Sequence, residues 1–91
     1  MDNTNNMTPQ DVAKYFLLRA QEDGELISPL KMQKLVYYAY AWYFVHTTEK
    51  LFDEPIEAWR SGPVVPSLYQ SLQEYGSGPI NQDFLGFKNE G

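Results

Sequence analysis

Apolar residues recur at helical spacing in three stretches of this chain, each opened by a proline and closed by a glycine or a change of character. In the first, Val12, Ala13, Phe16, Leu17 and Ala20 stand at three- and four-residue spacing and so form one stripe on an amphipathic helix. Thr8-Pro9-Gln10-Asp11 supplies its start. Thr8 is the N-cap, Pro9 takes the first helical position where a missing N–H costs nothing, and Asp11 sits near the positive end of the dipole. Gly24 is the stop.

Ser28-Pro29 repeats the start signal, and the segment that follows keeps the helical period to about His46 while being apolar on more than one side. Projected at about 100° per residue, Met32, Val36, Ala39 and Tyr43 form its most apolar side, flanked by Leu35 and Tyr40. This reads as a central helix that its neighbours cover broadly. Its apolar run, Leu35 to Val45, is well short of the about 20 residues a membrane span needs, so a buried helix is predicted and no membrane segment.

From Glu54-Pro55 to Gly62-Pro63 the prolines bar a regular long helix, and Ile56 to Arg60 is predicted as a short strand. A third helix opens at Pro66 and closes at Gly76, with Leu68, Leu72 and Tyr75 on one stripe. Residues 1–7 are expected to be flexible, residues 8–80 to form the domain, and residues 81–91 to be a short extended or frayed tail. The predicted fold is mainly α: a small bundle of about three helices around a central aromatic-rich helix, with a short extended segment or small hairpin.

Composition narrows the function. A chain of 91 residues is one domain at most, so its core must be dense in large side chains, and seven Tyr, five Phe and two Trp are available for that. With no Cys, neither a disulfide framework nor a thiolate metal site can support it. The net charge of −5 is the wrong sign for gripping phosphate backbones, which argues against nucleic-acid binding. Met1 to Asn6 lacks the basic and apolar regions of a signal peptide, so a cytoplasmic location is expected.

Catalysis needs convergent groups, and few candidates are present. His46 is the single imidazole and stands at the end of an apolar helix, where the dipole favours it without any chemistry. Glu22, Asp23 and Glu25 cluster at a helix terminus, while Glu49, Asp53, Glu54 and Glu57 are spread over a loop and an extended segment; both sets read as solvated carboxylates. There is no phosphate cradle, nucleophile elbow or metal-ligand spacing. No catalytic residue, metal or cofactor is expected, and an enzyme is the last of the candidate classes.

Lys31 and Lys34 carry more information, because cations in the first turns of a helix oppose its macrodipole. They continue into Tyr38, Trp42 and Val45 at spacings of three, four, four and three residues, so two charges lead into an aromatic-aliphatic strip. One reading gives part of this stripe to a partner; the other pairs the lysines with Glu25 or Glu57 and covers the rings with another helix. Trp59-Arg60-Ser61-Gly62-Pro63 is a second unusual stretch. Gly62 can take a positive φ and Pro63 fixes the exit, so Trp59 and Arg60 are held just before a turn. Burial of Trp59 in the core is the expectation, worth at most about 4–6 kcal/mol. Arg60 would stack on that ring, clamp a carboxylate, or form an internal ion pair.

Taken together, Ile27-Ser28-Pro29-Leu30-Lys31-Met32-Gln33-Lys34-Leu35-Val36-Tyr37-Tyr38-Ala39, then Trp42-Tyr43, then Ile56-Glu57-Ala58-Trp59-Arg60-Ser61-Gly62-Pro63-Val64-Val65-Pro66-Ser67-Leu68-Tyr69, resemble the Panacea domain, the SocA-type antitoxin domain of bacteria and phages. The resemblance runs from about Met7 to Ile80. It implies a helical domain of mobile genetic elements that neutralises a protein toxin by direct contact, in one relative as an adaptor to a Clp-type protease. Partner binding is expected to involve Lys31, Lys34, Tyr38, Trp42, Trp59 and Arg60. The acidic balance would suit a basic toxin. Family members usually continue further, so this chain is expected to be a short or truncated version, and a stripe left uncovered would favour a homo-oligomer. The alternative is a phage or mobile-element inhibitor of a host defence protein, imitating nucleic acid through its negative surface.

Overall fold

A computed structural model describes residues 7–86. The first helix, α1 (Pro9–Glu22), begins with a reciprocal cap: the Asp11 N–H donates to Thr8 Oγ1 and the Thr8 N–H to Asp11 Oδ2, each at 3.1 Å. The second, α2 (Pro29–Thr47), is capped by Ser28 Oγ, which accepts from the Lys31 N–H at 3.2 Å. It ends where Thr48 turns into the left-handed region at φ 59°.

Two three-residue strands follow, β1 (Glu57–Trp59) and β2 (Gly62–Val64), joined by Arg60-Ser61. They pair antiparallel with Glu57 opposite Val64, Ala58 opposite Pro63 and Trp59 opposite Gly62. Gly62 has φ +119°, a conformation that side chains disfavour, which is why the exit from the turn is glycine. The third helix, α3 (Pro66–Leu72), tightens into a 3-10 turn over Gln73–Tyr75 and stops at Gly76. A second 3-10 turn spans Gln82–Leu85.

The core lies where α1, α3 and the first half of α2 meet. Val12, Ala13, Leu17 and Ala20 of α1 face Met32 and Val36 of α2 and Leu68 and Leu72 of α3, and Ile27, Phe52, Val65 and Ile80 fill it from the connecting segments. Each large apolar side chain buried here stabilises the fold by on the order of 1.5–3 kcal/mol. Two polar links fasten the connections. The Ile80 N–H donates to the Ile27 carbonyl at 2.9 Å, which holds the later chain against the α1–α2 loop. The side-chain amide of Gln33, only 5% exposed, donates to the Val65 carbonyl at 3.2 Å and accepts from the Val65 N–H at 3.0 Å. Val65 has no side-chain oxygen with which to cap α3, and Gln33 supplies its polar partner from across the fold.

Three expectations are corrected here. The core is aliphatic: among the described residues Phe52 is the one aromatic ring that is fully buried, and the others sit half-buried at its edge or in the open. α2 is not covered broadly. Its neighbours reach it about as far as Ala39 and Tyr40, whose ring meets Phe52, while Trp42, Phe44 and Val45 remain exposed. The segment from Asn81 is neither extended nor frayed as far as Gly86, since Phe84 and Leu85 pack against the core and the Tyr75 hydroxyl donates to Asp83 Oδ1 at 2.7 Å. The rest of the expected tail lies outside the described residues.

Candidate partner-binding surface

On α2 the core-facing residues Met32 and Val36 leave the opposite side of the helix to Lys31, Lys34, Tyr38, Trp42 and Val45. All five are exposed, with Tyr38 and Trp42 each at 63% and Val45 at 73%. From Lys31 to Val45 the stripe runs roughly 21 Å, at about 1.5 Å per residue. Its rings are ordered by near neighbours: Trp42 stacks on His46 with centroids 4.2 Å apart, and Tyr38 leans on Tyr37 at 6.2 Å.

The hairpin extends this surface sideways. Lys34 Nζ lies 3.5 Å from the Ser61 carbonyl oxygen, within reach of a weak hydrogen bond, and so ties the α2 stripe to the turn that carries Arg60. Lys31, Lys34 and Arg60 therefore gather at one corner of a chain whose net charge is −5. Neither lysine forms an ion pair among the described residues, so the predicted pairing with Glu25 or Glu57 does not occur. Glu57 instead accepts from Trp59 Nε1 at 2.9 Å.

Trp59 is not a core residue, contrary to expectation. It is 38% exposed and meets Tyr69 edge to face at 5.1 Å, because β1 lies on the rim of the fold and all three of its residues face solvent. Arg60 neither lies over that ring nor forms an ion pair among the described residues. Between the start of α2, the hairpin and α3 there is a groove of about 400 Å³, lined by Leu30, Gln33, Trp59, Val64, Tyr69 and Leu72 among others.

The structure thus brings Lys31, Lys34, Tyr38 and Trp42 onto one line, sets Arg60 beside its cationic end, and places Trp59 in the adjoining groove. Sequence reasoning missed Gln33, Leu30 and Tyr69. A glutamine between two apolar stretches and next to exposed lysines carries no local sign of burial. Leu30 and Tyr69 stand off the apolar stripes used to define each helix, and that misfit was the available signal. Among the described residues, no group of three or more His, Cys, Asp or Glu is placed to hold a metal ion, and no helix is long and apolar enough to cross a membrane.

What the fold defines is a mainly α-helical domain with a two-stranded hairpin beside the start of its longest helix, bearing an aromatic and cationic line on its outer side. The chain belongs to the family described as Antitoxin SocA-like, Panacea domain, whose pattern matches residues 32–90. That span takes in most of α2, the hairpin and α3. Among curated proteins it is similar to Antitoxin SocA of Caulobacter vibrioides (strain NA1000 / CB15N), with 35% identity over 65 residues, or 71% of this chain. The match covers 35% of that relative's own length, so the chain spans about a third of it. No solved structure matches the chain.

Proposed function

We propose that this chain is an antitoxin-like interaction domain that neutralises a protein toxin by direct stoichiometric binding and catalyses nothing. The observation that carries the reading is the uncovered line from Lys31 to Val45, with Arg60 beside its cationic end, in a chain of an antitoxin-like family. Among the described residues, Tyr38 and Trp42 meet near neighbours on α2 itself and stay largely open, and exposed rings with nearby Arg are the groups that contribute most to protein interfaces. Within this reading α2 is the central element, anchored in the core by one half and presented to the toxin by the other. Net acidity favours a basic toxin at long range, whereas the local corner of Lys31, Lys34 and Arg60 selects a carboxylate-bearing segment on the toxin's contacting face. Delivery of the bound toxin to a Clp-type protease is the further step implied by the family resemblance.

A second reading has one observation behind it. Glu22, Asp23 and Glu25 stand exposed together at the α1–α2 connection, an acidic face suited to a phage or mobile-element protein that imitates nucleic acid to inhibit a host defence protein.

Co-expression with a candidate toxin gene, alongside an assay of host immunity, tests both. Growth rescue by the chain, lost in Lys31→Glu/Lys34→Glu with an unchanged circular dichroism spectrum and at least a tenfold weaker complex (about 1.4 kcal/mol), is the expected result. Full rescue and unaltered affinity in that variant would remove the stripe from the interface. Failure of the native chain to rescue growth, with suppression of host immunity instead, would favour the second reading.

A further inference from the structure

We infer that, without another protein on it, the α2 stripe pairs with the same stripe of a second copy, the two helices running antiparallel about a two-fold axis at the level of residue 40. This goes beyond the proposed toxin binding and does not require it, although it uses the same outer side of α2. Three observations lead to it.

The first is spacing. Lys31, Leu35, Tyr38, Trp42 and Val45 follow one another at four, three, four and three residues, the alternation that keeps a seam facing a partner helix along its length. Leu35 is half-buried at the inner edge of this seam, and the other four are exposed.

The second is self-complementarity. With the axis at residue 40, Tyr38 of one copy faces Trp42 of the other, Leu35 faces Val45, and Lys31 faces the C-terminal end of the other α2, where the chain turns at Thr48 into Glu49. Aromatic meets aromatic, aliphatic meets aliphatic, and cation meets anion.

The third is the charge on α2 itself. Its first turn has no acidic residue, and Lys31 and Lys34 stand there against the positive end of their own helix dipole with no ion pair among the described residues. Antiparallel pairing sets them beside the negative end of the second copy's α2, with Glu49 at that end, so an unfavourable placement within one chain becomes favourable between two. The opposing cation Lys50 borders a recess with Tyr37, Tyr40, Asp53 and Glu54, on the flank of α2 away from the seam.

The size of the surface sets the strength. At 63% exposure each, the Tyr38 and Trp42 rings offer on the order of 250 Å² together. Val45 and the lysine stems raise this toward the ~600 Å² per partner at the lower bound of specific interfaces. A weak, concentration-dependent dimer is expected, one that a tighter partner on the same stripe displaces.

The test uses the 91-residue chain, which has no cysteine of its own. Sedimentation equilibrium should show a mass moving from one to two chains as concentration rises into the range of tens of micromolar, and Trp42→Glu should remain monomeric with its helical spectrum intact. Lys31→Glu and Glu49→Lys should each weaken the dimer several-fold, and the two together should restore it. Oxidising a mixture of Lys34→Cys and Val45→Cys chains should join one to the other, whereas neither variant alone should cross-link. A chain that stays monomeric at the highest soluble concentration overturns the inference, and so does a dimer untouched by Trp42→Glu. Cross-linking of Val45→Cys with itself would show parallel pairing and overturn it too. None of these outcomes decides toxin neutralisation, which the growth assay reads separately.

Discussion

Gln33 shows how one side chain can hold two elements in register. Its amide meets both backbone groups of Val65, a residue 32 positions away, at the point where the hairpin gives way to α3. Replacement by Met keeps the length of the side chain but leaves the buried Val65 N–H without its partner. The expected loss is about 1–3 kcal/mol, the cost of an unsatisfied buried group. Urea unfolding followed by circular dichroism measures it, and a midpoint equal to that of the native chain would contradict the role assigned to Gln33. This contact was not legible in the sequence, since nothing near Gln33 indicates that a proline-flanked loop will cover it. The caps were legible because they are local: Thr8, Pro9 and Asp11 carry their partners within three residues, and the structure realises the bonds they imply. Trp59 shows the limit of composition, because a large ring next to a turn has the same sequence signature at the rim as in the core.

Among the elements, the hairpin depends on its glycine. A Cβ on Gly62 would come no closer than 3.8 Å to Lys34 Nζ, an ordinary contact, so any cost of Gly62→Ala arises from the backbone at φ +119°. A loss of about 1–3 kcal/mol is expected, from the strain of a non-glycine residue in a sparsely populated region. Adding Lys34→Ala should recover none of it. Recovery would show that crowding was the cause, and chemical denaturation of the single and double variants separates the two. α2 was legible as a helix, from Ser28-Pro29 to His46, but its surroundings were not. Apolar residues on several sides signal burial only when enough neighbours exist to cover them, and here the cover reaches about as far as Tyr40. The rings beyond that point, the same ones that make the candidate surface, are where the pattern led to the wrong expectation.

For the molecule as a whole, the acidic balance and the absence of Cys could be read directly, whereas the gathering of Lys31, Lys34 and Arg60 required the fold. The packing of the later chain also has a measurable consequence. Partial burial, followed by the hydrogen bond to Asp83, raises the Tyr75 phenol above its ordinary range. Its neutral form is therefore favoured in the folded state. Below about pH 10 both states keep the proton and the contribution is full; above it the unfolded chain ionises first and stability falls. Unfolding midpoints from pH 8 to 11 should decline more steeply for the native chain than for Tyr75→Phe, and parallel curves would contradict this.

The bond between the Ile80 N–H and the Ile27 carbonyl brings two distant points of the chain to one place. Between them lie α2, the hairpin and α3, which is to say the entire candidate surface. That stretch leaves the fold beside where it enters, like a loop with its ends clasped. Sequence joined outside such a clasp need not reroute the part enclosed.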